Sequence, residues 1–304
     1  MQIVKNVTLA SLLMTGLIST GAVADPLTVY GKINVTAQSS DEGDGSFTEL
    51  KSNNSRFGIK GDYALEDGLQ VVYTLEWQVD VADLGGSDNI KSRNQYLGLK
   101  GDFGTVLLGR NDTMLKQSQG GVDLFNDYEA DLKGLWKGEN RLSNTVTYVT
   151  PAFDKFSFGI TYVAAGSTEG EDGISAAVFY GDKSLKKSNW FASVATDKDI
   201  NGYDTTRATV QTKLEAWTLG ASVQRQEPSE GGTSKNGAMV SAGYKMGKVT
   251  YKAQLQTLED DQSVSLGADY KLGDKTKLFA WYTDRDYDAS VDRSWLAVGI
   301  EHKF

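Results

Sequence analysis

Apolar and polar residues alternate along most of the chain after residue 25. The segment 69–80 is typical, because every odd-numbered position is apolar and almost every even-numbered position is polar. An alternation with a period of two residues predicts β-strands with one apolar and one polar face. The pattern predicts about sixteen strands, roughly 17 residues apart, which begin near residues 27, 55, 69, 93, 105, 144, 155, 173, 189, 203, 217, 236, 248, 262, 276 and 294.

The predicted connections differ in length, and the difference alternates along the chain. Short glycine-containing segments are typical of tight hairpin turns, for example "EDG" (66–68), "DFG" (102–104), "MGK" (246–248) and "LGDK" (272–275). Longer polar segments lie between them, including "SSDEGDGSFTELKSNN" (39–54), "VADLGGSDNIKS" (81–92) and "PSEGGTSKN" (228–236). Short turns at one rim and long loops at the other are typical of outer-membrane β-barrels.

These patterns predict an all-β protein, a transmembrane antiparallel β-barrel of about sixteen strands. A barrel of this size encloses an aqueous lumen, and its closure leaves no strand edge unpaired in the membrane. A secreted sandwich or solenoid would show the same alternation, so the unequal rims and the chain ends carry the preference for a barrel. Around 105–109 and 276–288 both faces are partly apolar, which leaves the register open there.

The two ends of the chain agree with export. Lys5 precedes an uncharged, largely apolar run, and Ala22-Val23-Ala24 has the small-residue spacing of a signal-peptidase site. The apolar run is shorter than the roughly 20 residues of a helical membrane span. We therefore expect a cleaved signal peptide at 1–24 and a single barrel domain at 25–304. The other end, "SWLAVGIEHKF" (294–304), is an alternating strand that stops on an aromatic residue.

Composition narrows the possible functions. Removal of Lys5 with the signal peptide leaves 30 basic and 40 acidic side chains, a net charge of −10, which gives no support to a nucleic-acid partner. The chain has no cysteine, so an exported form cannot rely on disulfides. Its one histidine, His302, lies on the predicted lipid-facing side, so imidazole-based or thiol-based catalysis is not expected. We predict no enzymatic activity, no cofactor and no metal site.

The connection 111–143 is far longer than the others. Loops of this length are usually functional or disordered, but this one has more apolar bulk than disorder favours, namely Leu115, Leu124, Phe125, Leu132, Leu135 and Trp136. We expect it to fold against the inside of the barrel. There it would narrow the lumen as a constriction loop.

Five segments carry a family resemblance, namely "VYGKINV" (29–35), "SRFGIKGDYALEDGLQVVYTLE" (55–76), "GDFGTVLLGR" (101–110), "RLSNTVTYVTP" (141–151) and the closing "HKF". In their order and spacing the chain resembles the general diffusion porins of Gram-negative outer membranes over essentially its whole mature length. The resemblance implies a sixteen-stranded barrel, a homotrimer, and a third extracellular loop folded inward. It also implies a location in the outer membrane, in contact with lipid and lipopolysaccharide.

The resemblance further implies roles for individual residues. Basic side chains of the wall would face acidic ones of the loop, and the matching basic positions are Lys32 of "YGK", Arg56 of "SRFG" and Arg110 of "LGR". Lys32 and Arg56 also lie on the polar face of their predicted strands. The terminal Phe304 would close the barrel seam beside the first strand and serve as an assembly signal.

The chain departs from the family pattern at two places. "TVTYVT" (145–150) has Thr147 and Val149 where relatives often carry a further arginine, and the loop has "GGVDLFNDYEADL" in place of a "PEFGG"-like signature. The acidic side of the constriction therefore rests on composition alone. The candidates are Asp123, Asp127, Glu129 and Asp131.

The function expected from these features is passive diffusion of ions and small polar solutes, with size exclusion at the long loop. Opposed charges would fix a field across the constriction, and a Debye length of about 8 Å at physiological salt leaves that field effective there. The net charge and the acidic loop favour cations, whereas the basic wall opposes them.

Two other functions remain open from the sequence. A channel selective for a sugar or oligosaccharide would line its path with aromatic residues, for which Tyr30, Tyr128 and Trp136 are available, although Trp136 is better explained as packing the loop onto the wall. A structural role is the other alternative, in which the acidic clusters "DEGDG" (41–45) and "EGEDG" (169–173) would bind cations at the surface.

Overall fold

The computed structural model describes residues 27–83, 89–165 and 172–304, so the predicted signal peptide lies outside the described residues. Within these ranges no α-helix is long and apolar enough to cross a membrane. The elements are the strands β1 (Thr28–Asp41), β2 (Ser46–Ser52), β3 (Arg56–Ala64), β4 (Gln70–Val79), β5 (Ile90–Gly101), β6 (Gly104–Asp112), β7 (Arg141–Val149), β8 (Phe156–Val163), β9 (Gly173–Gly181), β10 (Trp190–Ile200), β11 (Tyr203–Leu214), β12 (Trp217–Pro228), β13 (Lys235–Met246), β14 (Val249–Leu258), β15 (Asp261–Lys271), β16 (Thr276–Asp286) and β17 (Arg293–Lys303), with the helix α1 (Met114–Ser118) and two 3-10 turns (Glu66–Gly68 and Leu132–Gly134).

The strands form one closed antiparallel ring, in which β17 returns to pair with β1. β2 and β3 together form a single strand of this ring, because β1 pairs with β3 over Thr28–Lys32 and with β2 over Val35–Asp41. The break between them includes Asn54, whose φ of 50° is left-handed. Counted this way the ring has sixteen strands, which confirms the predicted barrel and converts part of the predicted loop 39–54 into strand.

The exposed face of the barrel is apolar and the buried face is largely polar. On β17, Leu296, Val298 and Ile300 are 57, 58 and 45% exposed. On β1, Thr36, Gln38 and Ser40 are buried, with at most 2% exposed. A water-soluble sandwich or solenoid would bury the apolar face, so this arrangement excludes that alternative and fits an outer surface in contact with lipid.

Exposed aromatic side chains gather at the rim that carries the chain ends, here called the terminal rim. They belong to the ends of strands and to the short turns between them: Tyr63, Phe103, Phe153, Phe156, Trp190, Trp217, Tyr251, Tyr270 and Phe304. Aromatic girdles of this kind mark the membrane interfaces of outer-membrane barrels. The opposite rim is here called the loop rim.

The lengths of the connections agree only in part with the predicted asymmetry. The terminal rim has the expected tight turns at 102–103 and 247–248 but also the longer connection 182–189. The loop rim carries the long connections, yet β10–β11 and β14–β15 are joined there by only 201–202 and 259–260. The prediction of long loops at every loop-rim position is therefore wrong at two places. Local turn geometry at Asn201 and Glu259, both with positive φ, permits two-residue hairpins there.

Both ambiguous segments have a definite register in the barrel. Phe279 and Trp281 of β16 are buried in the lumen, whereas Leu278 and Tyr282 face outward. In β6, Leu108 faces outward and a register shift between Gly109 and Asn111 follows it. The apolar residues on the inner face of β16 are covered by apolar side chains of the long connection between β6 and β7.

Candidate functional site

Loop 3, residues 113–140, connects β6 to β7 and begins with α1. Its first turn is capped by Thr113, whose Oγ1 accepts a hydrogen bond from the Lys116 backbone N–H at 3.2 Å. Met114 and Leu115 are fully buried against the small side chains of Ala177 and Ala195 on β9 and β10. The loop therefore starts by packing onto the inner wall.

The middle of loop 3 packs on the aromatic inner face of β16 and β17. Phe125 and Tyr128 form one buried cluster with Phe279, Trp281 and Trp295. The ring centroids of Tyr128 and Phe279 are 5.0 Å apart, and those of Tyr128 and Trp281 are 5.6 Å apart. Such aromatic contacts add to the energy of apolar burial, and they explain the apolar inner face of β16.

A second apolar cluster fixes the end of loop 3. Leu132, Leu135 and Trp136 are buried against Met239 of β13 and Leu258 of β14, together with Val122. The Trp136 Nε1–H donates to the Thr257 carbonyl oxygen at 2.8 Å. The prediction that Trp136 packs the loop onto the wall is confirmed.

Glutamines of the wall bind the loop backbone between these clusters. Gln254 accepts from the Leu124 N–H at 2.9 Å and donates to the Ala130 carbonyl oxygen at 3.2 Å. Four further glutamines make equivalent bonds to loop 3: Gln211 to Gly121, Gln224 and Gln226 to Lys137, and Gln256 to Leu132. Buried backbone groups of an irregular loop need such partners, and the inner face of β11–β14 supplies them.

A buried ion pair holds the last section of loop 3. The Arg207 guanidinium on β11 lies 2.7 Å from the Glu139 carboxylate, and both side chains are almost fully buried. Arg207 also donates to the Lys137 carbonyl oxygen at 3.2 Å and lies over the Trp136 ring at 5.6 Å. Removal of one partner would leave a buried charge uncompensated, which is costly in a barrel interior.

Asp127 is the acidic loop residue that reaches the basic wall. Its carboxylate lies 2.7 Å from the Lys32 ammonium and 3.6 Å from the Arg56 guanidinium, and it accepts from Asn54 at 2.8 Å. Burial alone would raise the pKa of Asp127, but the Lys32 and Arg56 charges hold it at about 2. Asp127 is therefore ionised at any physiological pH.

Ion pairs continue from Asp127 along the inner face of β17, β1 and β3 to β7, here called the charged wall. Arg93 of β5 lies 2.6 Å from Glu76 of β4, and Arg56 lies 3.8 Å from the same carboxylate. Farther along, Arg141 of β7 lies 2.9 Å from Asp112 of β6. The members of the charged wall are Lys32, Arg56, Glu76, Arg93, Asp112, Arg141 and Glu301.

Comparison with known proteins decides the family. Residues 8–290 match the family described as Gram-negative porin. The chain belongs to the Gram-negative porin family. It is 24% identical to the major outer membrane protein P.IB of Neisseria lactamica, in an alignment that covers 93% of this chain and 95% of that relative.

Solved porins share the fold of this porin. The anion-selective porin from Comamonas acidovorans superposes with a TM-score of 0.73 at 20% identity, covering 92% of this chain and 100% of that one. The trimer form of OmpT from Vibrio cholerae gives a TM-score of 0.67 at 17% identity, with the same coverage. With the family and the barrel established, this protein is an outer-membrane porin that forms a water-filled channel for passive diffusion of ions and small polar solutes.

The structure separates the four acidic candidates of this porin. Asp127 faces Lys32 and Arg56, and Glu129 pairs with Lys51 of β2. Asp131 instead accepts from the backbone N–H groups of Asp127 and Lys133, inside loop 3. Asp123 accepts from those of Phe125 and Leu132. Asp123 and Asp131 thus stabilise the conformation of the loop.

Burial and the neighbouring Asp131 carboxylate raise the pKa of Asp123 to about 7, although two backbone N–H donors favour its charged form. Asp123 is therefore the loop carboxyl that titrates in the physiological range. The Asp123 carboxyl is buried and does not contact the charged wall.

The basic candidates divide in a similar way. Lys32 and Arg56 meet at Asp127, whereas Arg110 lies opposite Gln95 beside the register shift of β6 and donates to Ser143 Oγ at 3.1 Å. Among the described residues, no ion pair joins Arg110 to the charged wall.

Arg93 and Arg141 are members of the charged wall that the sequence analysis missed. Arg141 begins β7, the strand after the long loop. The arginine that relatives often carry lies later in this strand, beside the tyrosine, where this chain has Thr147 and Val149. A signal was present, since "RLSN" (141–144) is part of a matching segment. The loop-binding glutamines had a signal too, in the repeated "VQRQ" (223–226) and "AQLQ" (253–256).

Proposed function

We propose that loop 3 forms the constriction of a general diffusion channel and that solutes pass between the loop and the charged wall. One observation carries this proposal. Loop 3 packs on the inner wall from β9 round to β1, through the apolar contacts of α1, two further apolar clusters and a row of glutamines. Among the described residues, its contact with β3 is made by Asp127, and no hydrogen bond or ion pair joins 119–135 to β4 or β5.

The opposed charges set the selectivity in this proposal. Asp127 projects from the loop toward Lys32 and Arg56, while Glu76 and Asp112 already pair with Arg93 and Arg141. Charges of both signs therefore line the path, which favours modest rather than strong ion preference. This near balance argues for a channel that admits small polar solutes of either sign.

A sugar-selective path has less support. Of the three aromatic candidates, Tyr128 and Trp136 are 6% and 1% exposed because they pack the loop onto the wall. Tyr30 donates its hydroxyl to Glu76 at 3.1 Å. A stacking surface for sugar rings would need exposed aromatic faces along the path.

The assembly and location of this porin are inferred from its family. We infer a homotrimer, supported by the trimer form of OmpT, in an outer membrane with lipid and lipopolysaccharide around it. We also infer cleavage after Ala24 and a role for Phe304 as an assembly signal. The loop rim would face outward from the cell, because outer-membrane barrels place short turns on the periplasmic side.

The experiment is single-channel recording of refolded protein in planar bilayers, with a salt gradient to obtain the reversal potential. We expect current steps in groups of three and a small reversal potential. Flux of a small neutral sugar should rise linearly with its concentration. Saturation of that flux would overturn the general diffusion channel in favour of a selective one.

A further inference from the structure

Five lysines surround a small cavity on the inner side of the terminal rim. The cavity has a volume of about 210 Å³. It lies inside the barrel, because Asp269 in its lining also binds Lys252, which in turn donates to the Leu124 carbonyl oxygen of loop 3. The lysines are Lys248, Lys271, Lys275, Lys277 and Lys303, which here are called the rim lysines.

The fold brings the rim lysines together from five separate positions of the chain. Lys248 and Lys275 lie in the tight turns β13–β14 and β15–β16, and the other three lie at the ends of β15, β16 and β17. Neighbouring antiparallel strands place their turn ends side by side at one rim. Lys271, Lys275 and Lys277 are close together in the sequence, in "KLGDKTK" (271–277), and the barrel adds Lys248 and Lys303 to them.

The carboxylates of the cavity do not balance these charges. Asp269 lies 2.9 Å from Lys277 but also 3.0 Å from Lys252. Glu301 lies 3.4 Å from Lys303 but also 3.5 Å from Lys32. The third carboxylate, Asp274, pairs with Lys271 at 2.7 Å. Three carboxylates thus serve five ammonium groups, and two other lysines share the same carboxylates.

Lys248 and Lys275 are the rim lysines without a protein counter-charge. In the described ranges, no carboxylate oxygen lies within 4 Å of either ammonium group. Both side chains are exposed at the mouth of the lumen, next to the hydroxyl groups of Thr250 and Thr276. The chain as a whole has a net charge of −9, so this local positive excess is set apart from the rest of the molecule.

We propose that the rim lysines form a binding site for small multivalent oxyanions, such as phosphate or polycarboxylate groups, at the terminal mouth of the channel. Several ammonium groups around one cavity can contact one anion at once, whereas chloride would engage them singly. Oxygen-rich anions accept charge-assisted hydrogen bonds from ammonium groups, and the Thr250 hydroxyl can donate as well, whereas the Thr276 hydroxyl is already bonded to His302 Nδ1 at 2.8 Å. The site rests on the diffusion channel for access, while its charge is independent of loop 3.

The test compares the wild type with the double variant Lys248→Gln, Lys275→Gln in phosphatidylcholine bilayers, where no anionic headgroup competes. Inorganic pyrophosphate is added to one chamber at a time, with potassium chloride held constant. We expect a concentration-dependent reduction of single-channel current from the terminal-rim side. For the same reduction of current, the double variant should need about tenfold more pyrophosphate. This corresponds to the loss of about 1.4 kcal/mol of binding free energy.

The matched control is Lys186→Gln, Lys213→Gln. These lysines are also exposed near the terminal rim, on the β9–β12 side of the ring, and they do not line the cavity. This control should keep the wild-type response. Equal responses of all three proteins, or a response from the loop-rim side only, would overturn the site.

Calorimetric titration of detergent-solubilised protein with pyrophosphate separates this inference from the proposed function. Binding that the double variant loses would support the site even if no channels were recorded. Open channels without binding and without a change of current would contradict the site while leaving the diffusion channel intact.

Discussion

At the scale of single residues, the electrostatics of this porin differ between two carboxyl groups of the same loop. Asp127 lies against Lys32 and Arg56, which hold its pKa at about 2. Asp123, four residues earlier, is buried beside Asp131, and its pKa is raised to about 7. In the proposed constriction Asp127 would act on passing ions, whereas Asp123 would act on the stability of the loop.

Replacement Asp127→Asn should shift the reversal potential toward anions. It removes the loop charge that offsets Lys32 and Arg56, and the field between charges in a narrow, partly desolvated constriction is weakly screened. The measurement is the reversal potential in a salt gradient.

Asp44→Asn, in the exposed part of the first loop-rim connection, is the matched control and should leave the potential unchanged. A shift toward cations in Asp127→Asn would contradict the assignment of Asp127 to the constriction.

Titration of Asp123 should make the porin less stable as the pH rises. Its folded pKa of about 7 exceeds the ordinary value of 3.8, so the folded state binds this proton more tightly than the unfolded state does. The free energy of unfolding should then fall between about pH 4 and about pH 7. Urea unfolding across this range, compared between wild type and Asp123→Asn, measures the effect. A variant with the same pH dependence as the wild type would rule out Asp123 as its source.

At the scale of elements, loop 3 is held by tertiary contacts rather than by regular structure of its own. Its helix α1 spans only Met114–Ser118, and a 3-10 turn at Leu132–Gly134 is its other regular element. Apolar clusters on β16–β17 and β13–β14, and glutamines from β11 to β14, supply the rest. The loop can therefore loosen without unfolding of the barrel.

Replacement Glu139→Gln should loosen the end of loop 3. It leaves Arg207 buried without a carboxylate partner, which typically costs roughly 3–5 kcal/mol. We expect faster proteolysis within 113–140 and noisier single-channel current, while the heat-modifiable mobility of the barrel stays unchanged.

The double variant Arg207→Met, Glu139→Met is the control, because replacement of both partners by apolar groups is usually tolerated. It should be less sensitive to protease than Glu139→Gln. Greater sensitivity in the double variant would mean that the pair is not the anchor.

At the scale of the whole molecule, the last residue takes part in the seam at which β17 pairs with β1. The backbone of Phe304 exchanges hydrogen bonds with Gly31 at 3.1 and 3.3 Å, and β17 pairs with β1 along its length. The Phe304 ring covers Gly31, where a Cβ atom would lie 2.4 Å from the ring. The glycine thus makes room for the aromatic side chain at the seam.

Replacement Phe304→Ala should slow the appearance of the heat-modifiable folded barrel during refolding into lipid vesicles. Phe103→Ala provides the comparison, since Phe103 is an exposed aromatic residue of the same rim that lies away from the seam. Equal refolding half-times for the two variants would show that position at the seam has no special role.

Alternation along individual strands made much of this fold predictable. Fifteen of the sixteen predicted starts lie within three residues of an observed strand start. The other, at 55, lies one residue before β3, whereas the combined strand of β2 and β3 begins earlier, at Ser46. Lys32 and Arg56 were predicted from the family resemblance and agreed with the parity of their strands, and the structure places both at Asp127. Prediction was poorest where the alternation breaks, as at Arg110 beside the register shift of β6.

The sequence by itself determined the barrel, its approximate strand number and the membrane-facing side of most strands, because period-two alternation is a local property of the chain. Only the tertiary structure decided which side chains meet across the lumen. Asp127 and Asp123 are equivalent in the sequence. Arg93 and Arg141 come from separate strands, and Lys248 and Lys303 come from segments distant from the other three rim lysines. Their roles depend on distances between strands, and those distances exist only once the ring has closed.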